Sequence, residues 1–510
     1  MNPGPRALAL AASCLLCACA GSYANRAPPS PAAAWRSASG DPHDFSLPAD
    51  PSLARVETAA RVDRDPVYGL PELIDIAESA NPDTRIGWER ARQAALAVGL
   101  AEAEYLPTIS ALALGGYRHT SVPVPDVKSL LIHPTADGPG VSIPLPLATN
   151  GRVGVDTFDV LPFLAIRWQL LDLGRGAGVN AAEHASAAAN VAFTAEHQKV
   201  VFEVTRAYLR LGAARAQSAV ARDALERTRG IARAAEARQQ RGLATTVETA
   251  EARREVAQAE YNLTQAQASE TAVYTALLSV MGIDPLTPLK VATNRSRDLP
   301  PELTRAVEQY LQAALKTRPD LQAAVELRSS AQALVSKSKA TFLPRMSVLG
   351  TAGAAILGAR VDGGSFSSST LPNAGVMVAF DWLLFDGGVR DAQTQIARSR
   401  ENEAEQSIVK LQQRTTQEVV AAYNEVNASL SRYQAASSLE RTAGVAEDAT
   451  TKSYANGLST VTDALGAQKA RSLASAAKEQ AFAEALISAT ALAFSSGQLG
   501  SAKAVPDLRQ

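Results

Sequence analysis

Asn81-Pro82-Asp83-Thr84-Arg85 opens a stretch that closes on Tyr105-Leu106-Pro107, and Arg318-Pro319-Asp320-Leu321-Gln322 opens one that closes on Phe342-Leu343-Pro344. The paired prolines are both offset by 237 residues (82 to 319, 107 to 344). Further on, Glu203-Val204 and Tyr208 match Glu418-Val419 and Tyr423, and Gly242-Leu243-Ala244-Thr245 matches Gly457-Leu458-Ser459-Thr460, all at an offset of 215. The chain is one unit written twice, and a repeat of this size decides the fold before any local propensity does. The drop from 237 to 215 leaves 22 extra residues in copy one. They fall in 121–154, a stretch dense in Pro and Gly whose counterpart, about 360–373, is short.

Each copy runs in the same order. A helix begins at Pro82 or Pro319, where the missing N–H costs nothing. Two strand-like stretches follow: about 108–120 and 153–170 in copy one, and about 345–358 and 374–384 in copy two. Val376, Val378, Phe380 and Trp382 show the period of two. The Gly-rich segment from Asp362 to Ser369 reads as a surface turn between strands. These lengths suit tilted strands crossing a bilayer, which takes roughly ten residues each. Four strands cannot close a barrel. The smallest membrane barrels need about eight, so subunits must pool strands, and a trimer would supply twelve.

After Trp168-x-x-x-Asp172-x-Gly174 and Trp382-x-x-x-Asp386-x-Gly388 the pattern turns to long helices. Val419, Tyr423, Val426, Leu430 and Tyr433 step by 4, 3, 4 and 3, a heptad spacing. Residues 175–241 contain no Pro and would reach roughly 100 Å as one helix. The break at Gly242 and the return to 281 make a helical hairpin over 172–281, and copy two repeats it over 386–497.

The first residues, MNPGPRALALAASCLLCACAGS, have one positive charge at Arg6, an apolar run and small residues around Cys19, the marks of an export signal over 1–18. Leu16-Cys17-Ala18-Cys19 is similar to a bacterial lipoprotein box, with Cys19 as the lipidated residue; Cys14 and plain secretion are the alternatives. All three Cys lie at or before 19, so the mature chain is left without a disulfide or a Cys metal site. Residues 19–68 read as an extended Pro/Ala/Ser linker and 501–510 as a tail, around repeats over 69–298 and 299–500. Past the signal no run of 18 apolar residues occurs, so a membrane could be crossed only by strands.

A net charge of -1 offers no field to attract nucleic acid. The five His lack ligand spacing and no hydrolase, P-loop or dinucleotide motif is present, so neither an enzyme nor a cofactor or metal is expected. Arg222, Arg227, Arg229, Arg233, Arg238 and Arg241 gather before the first break and read as a solvated face paired with Asp223, Glu226 and Glu236.

The paired Leu-Pro, Trp-x-x-x-Asp-x-Gly and Gly-Leu-x-Thr motifs, in identical order in two copies, resemble the TolC family of outer-membrane efflux proteins from about Pro66 to Gly500, and the lipid-box Cys resembles its lipoprotein branch. The resemblance implies a mainly α chain with four barrel strands. It would work as a homotrimer whose twelve-stranded outer-membrane barrel continues into a periplasmic tube of coiled helices. It implies export from an inner-membrane pump of a tripartite efflux or type I secretion system, with no catalytic residue. Gly242, Leu243, Thr245, Gly457, Leu458 and Thr460 would meet a periplasmic adaptor, and would otherwise serve as helix caps. Asp463 takes an acidic constriction position, with Glu248 its copy-one match, while a second ring position holds Gly466. An adaptor-like lipoprotein is the alternative, but it would show one hairpin. The exported substrate is not written in the chain.

Overall fold

The computed structural model describes residues 62–500 except 64, 124–128, 133–140, 145–151, 293–297 and 362, together with short pieces between 28 and 50. Cys19 and the tail 501–510 lie outside the described residues. The chain forms two compact units, 1–61 and 62–510. In the first, Asp44 accepts hydrogen bonds from the hydroxyls of Ser39 and Ser46 at 2.6 and 2.7 Å, closing a local turn.

In the second unit, β1 (Val67–Tyr68) and α1 (Leu70–Ala80) lead into α2 (Pro82–Ala103). Then come β2 (Thr108–Pro123), the hairpin of β3 (Ser129–Ile132) and β4 (Val141–Pro144), and β5 (Arg152–Leu171). Two long helices, α3 (Arg175–Gln240) and α4 (Thr246–Val280), and β6 (Lys290–Val291) end copy one. Copy two runs α5 (Val307–Thr317), α6 (Pro319–Ala340), β7 (Arg345–Val361), β8 (Ser367–Asp381), α7 (Val389–Ala455) and α8 (Val461–Ser495).

The four long strands form one antiparallel sheet in the order β2-β5-β7-β8. Three details differ from the sequence reading. The last strand starts at Ser367, not near 374, because polar Ser367, Ser368 and Ser369 still pair with β7 although they carry no hydrophobic alternation. It stops at Asp381 because β7, its one neighbour, begins at Arg345 just after Pro344 and offers no partner beyond the Arg345↔Asp381 pair. The inserted segment of copy one, which lies outside the strand-like stretches of the sequence, contains the β3–β4 hairpin, register Ser129↔Pro144 to Ile132↔Val141.

Helices α3 and α7, of 66 and 67 residues, each span about 100 Å. Toward its start α3 packs between α2 and α6; toward its end it packs between α4 and α8. The heptad positions Val419, Val426, Leu430 and Tyr433 are buried, as are Val204, Tyr208 and Leu211 of copy one. Where the two levels meet, the short helices α1 and α5 cover the long ones. Leu73, Ile74 and Ala77 pack against α3 and α4, and Ala314 packs against Val419, Val426 and Leu430. The parallel pair β1–β6 ties the entry of copy one to its exit.

Leu430 is fully buried in that second cluster. Its truncation to Ala leaves a cavity in a rigid helix layer and costs roughly 2–5 kcal/mol. The expected outcome is a clearly lowered unfolding midpoint in detergent by circular dichroism with the fold retained.

Candidate functional site

At the strand-to-helix junction the two copies build the same clasp. The indole of Trp168 donates to the Tyr105 carbonyl at 2.9 Å, and that of Trp382 to the Phe342 carbonyl at 3.1 Å. Arg175 lies over the Tyr105 ring and donates to the Glu104 carbonyl; Arg390 lies over the Phe342 ring. Asp172 accepts from the Gly174 N–H at 2.8 Å and Asp386 from the Gly388 N–H at 3.1 Å, so each carboxylate caps the first turn of a long helix. The copies part at the glycines. Gly388 has φ +92° and Gly387 +68°, where a side chain would be strained, while Gly174 is right-handed. Arg390 also pairs with Asp386 at 2.7 Å and, foremost among its partners, holds that carboxyl below the ordinary range.

The helix tips are cassettes of two caps. Gly242 (φ +74°) donates to Gln239 and Leu243 to Arg238; Gly457 (φ +77°) donates to Tyr454 and Leu458 to Ser453. This is the Schellman stop, and Gly supplies its left-handed residue. Thr245 and Thr460 then cap the next helices, accepting from the N–H groups of Glu248 and Asp463 at 3.2 and 3.1 Å. At Asp463 the box is complete, for its carboxylate accepts from the Thr460 N–H at 3.0 Å and hydroxyl at 2.7 Å. These bonds hold the Asp463 carboxyl below its ordinary value, the Thr460 side chain contributing most. The turns leave Leu243 and Leu458 exposed, at 65% and 81%.

Both tips are brought together. Arg238 reaches from copy one to the Tyr454 carbonyl at 2.8 Å and lies over the Tyr454 ring. Ile231, Ala235 and Ala252 share a core with Tyr454, Val461 and Leu465. Two turns above, Glu447 is almost fully buried between Arg227 of α3 and Arg471 of α8, at 3.3 and 2.8 Å. Arg229 is a solvated-face residue paired with Glu226 and Glu260, whereas Arg227 and Arg238 cross between the copies.

The sheet has two unlike faces. Ile109, Tyr117, Phe158, Leu164, Ile166, Trp168, Val348, Ile356, Val376 and Val378 share one face by register, with no charge between the heights of Trp168 and Phe158. The other carries Ser110, Arg118, Asp159, Arg167, Arg345, Thr351 and Asp381. An apolar belt against a mixed polar face is the pattern of a wall between lipid and water. No described helix is long and apolar enough to cross a membrane.

Known proteins match this architecture. The outer membrane efflux protein family matches residues 73–283 and 310–498, most of the chain. The chain belongs to the outer membrane efflux protein family. Among curated relatives, Protein CyaE of Bordetella pertussis is 27% identical over 377 residues, 73% of this chain and 72% of CyaE. The fold is similar to that of the CmeC outer membrane channel of Campylobacter jejuni, with a TM-score of 0.66 and 18% identity over 86% of this chain and 87% of that one. It is also similar to the open state of the MtrE outer membrane channel of Neisseria gonorrhoeae, with a TM-score of 0.62 and 19% identity over 86% and 94%. The outer membrane efflux protein described by these residues is a channel of tripartite efflux or type I secretion systems, not an enzyme. It lies in the outer membrane with a long helical portion in the periplasm. Membership also removes the adaptor alternative.

Of the residues singled out in the sequence, the two Trp-Asp-Gly sets and the two tips occupy equivalent places in the two copies. Arg175 and Arg390 escaped notice, although an Arg one and two residues after the motif glycine marks each copy. The Thr460 capping box and the Thr245 cap are also legible, as Thr-x-x-Asp and Thr-x-x-Glu.

Thr460→Ala removes the cap that lowers the Asp463 carboxyl. The group is depressed when folded, so its contribution is present above the unfolded value of about 3.9 and lost as pH falls through the lower folded one. Hydrogen exchange over residues 463–467 should therefore quicken in wild type only in strong acid, once corrected for intrinsic rates. In Thr460→Ala it should be fast already at neutral pH.

Proposed function

We propose that three copies of this efflux protein close a single conduit, with the apolar sheet face outward and a twelve-stranded barrel continuing into a ring of helices. The observation that carries this reading is that every level of the subunit ends in matched open edges. The sheet ends at β2 and β8, which run in opposite directions, so β8 of one copy can continue antiparallel to β2 of the next. Next to it the helices run α2-α3-α6-α7, and beyond that α4-α3-α8-α7. Both rows end on α7. The end helices α2 and α7 expose apolar residues in the single chain, Ile86, Leu96 and Leu100 on α2 and Ile396, Val409, Leu439 and Val445 on α7, and α4 adds Tyr261 to a mostly polar flank. Large exposed apolar patches mark association surfaces. A three-fold operator uses heterologous edges of this kind and closes.

In this reading the repeats are 69–298 and 299–500, preceded by a signal at 1–18 and a linker at 19–68 anchored through lipid on Cys19. Gly242, Leu243, Thr245, Gly457, Leu458 and Thr460 form the end that meets a periplasmic adaptor and, through it, an inner-membrane pump. The exposed Leu243 and Leu458 would supply apolar contacts there. Asp463 would form the constriction with its two symmetry copies, and Glu248 a weaker outer position. The carboxylate of Asp463 is exposed and kept ionised by its cap, so three copies near an axis would attract cations.

Unheated protein in SDS should migrate as a trimer that heat converts to the subunit; a band at subunit size before heating would sink the trimeric reading. Mass spectrometry of the mature N-terminus should find a diacylglycerol-modified Cys19. In planar bilayers Asp463→Asn, which keeps the shape of the cap and removes three charges, should weaken block by multivalent cations by at least an order of magnitude, and Glu248→Gln less. Unchanged block would place the constriction elsewhere.

A further inference from the structure

The apolar face of the sheet is bounded at both ends. Trp168 stands at the junction end and Phe158 and Tyr117 at the other, ten residues along β5. At about 3.3 Å per residue and a tilt near 40°, that spacing spans about 25 Å, the height of the lipid-facing band of outer-membrane barrels. One step beyond the aromatic row the same face changes character. Asp156 accepts from the Tyr117 hydroxyl at 2.6 Å and meets His119 Nδ1 at 2.7 Å, both on Oδ1. Its Oδ2 takes Arg360 Nη2 at 2.8 Å and Nε at 3.2 Å. Four residues away on the same face, at the start of β5, Arg152 donates from Nε to the Ser121 hydroxyl at 3.0 Å.

The carboxylate is mostly covered, 18% exposed, whereas His119 and Arg360 keep 58% and 46% of their side chains open. Nη1 of Arg360 and both Nη atoms of Arg152 make no bond to protein among the described residues. Asp156 thus faces the Arg360 guanidinium and the His119 imidazole, and Arg152, held by Ser121 further along the same face, adds a second guanidinium, so the described residues above the apolar belt carry two arginines against one carboxylate. Asp156 holds Arg360 in a fixed rotamer, so little freedom is lost when the free N–H groups are used. A guanidinium fork fits phosphate oxygens.

We propose that His119 and Arg360, arranged by Asp156, and Arg152, held by Ser121, form a ledge that binds phosphate groups on the headgroups of outer-leaflet lipid. The proposal rests on the outward placement of the apolar face. It assigns the partner by height and charge. The belt below takes the acyl chains, and the polar rows above it, where headgroup phosphates lie, hold Arg360 and Arg152 against the single carboxylate of Asp156. Tyr117 bridges the two, its ring in the aromatic row and its hydroxyl on Asp156.

The experiment uses the full chain in nanodiscs and native mass spectrometry, with bisphosphorylated lipid A and its dephosphorylated form as competing probes. Wild type should retain the phosphorylated lipid in preference, and Arg152→Gln/Arg360→Gln should lower the preference by about fivefold per arginine. Should the double variant fail to assemble, Arg152→Gln and His119→Gln, which leave the Asp156–Arg360 pair in place, should each still reduce it. Phe158→Trp reports the face separately through quenching by brominated acyl chains. Quenching with an unchanged lipid preference in the variants overturns the ledge alone. No quenching overturns the outward face and the ledge with it.

Discussion

Every backbone N–H and C=O that enters hydrocarbon must find a partner inside the protein, and this chain has no described helix able to hide its own. That constraint sets the rest. Four strands satisfy three seams and leave β2 and β8 each with one open side. A sheet in water can blunt such edges with charge or Pro. In lipid the edges must close, and the proposed trimer closes them with further copies of the chain. The same decision passes down into the helices, because α2 and α7 continue the outermost strands through the two clasps.

The clasps convert sheet geometry into helix geometry without slack. Strand direction is fixed to helix direction by a Trp–carbonyl bond, an Arg laid on an aromatic ring and an Asp cap, all within a few residues. The chain entering the clasp and the chain leaving it hold the same residues. Tyr105 belongs to the exit of α2 and Trp168 to the end of β5, so each clasp joins the beginning and end of its strand pair. Flexibility there would spread the tube over its length, since a few degrees at the root of a helix of about 100 Å displaces the tip by several ångströms.

Much of this could be read from sequence because repetition carries long-range information that local propensity lacks. The offsets of Pro82 with Pro319 and Gly242 with Gly457 fix corresponding turns some two hundred residues apart, and Pro and Gly are the residues whose backbone demands leave least choice. What escaped were elements whose signal is spread or borrowed. Helices α1 and α5 are short and owe their place to packing on α3, α4 and α7, through Leu73, Ile74 and Ala314. The first residues of β8 are serines that pair by backbone alone. Arg227 and Glu447 look like surface charges in sequence, yet they meet between helices 220 residues apart. Only contact between the copies gives them a partner.

Two copies of one unit also end in unlike surroundings. Helix α8 is buried along most of its length between α3 and α7, with Phe482, Ala485, Leu486, Ala489 and Leu492 inside, whereas α4 packs mainly on α3 and buries chiefly Thr249, Ala252, Leu277 and Leu278. The residues follow this difference. Helix α8 is rich in Ala and Ser, which let three helices approach closely, and α4 carries Gln, Glu and Arg along its free side. The difference arises within one subunit, because α3 is shared. It packs between the hairpins, so copy two is lined by copy one on one side while copy one has an open flank on the other. A repeat in a closed ring would make all flanks alike only if each neighbour presented the same helix. In the proposed ring the flank of α4 would be met by α7 of another copy, not by α8. The proposed tube would therefore be three-fold in subunits and only approximately six-fold in hairpins, and the departures from six-fold symmetry, such as Asp463 in copy two where copy one has Glu248, are where copy-specific function can be placed.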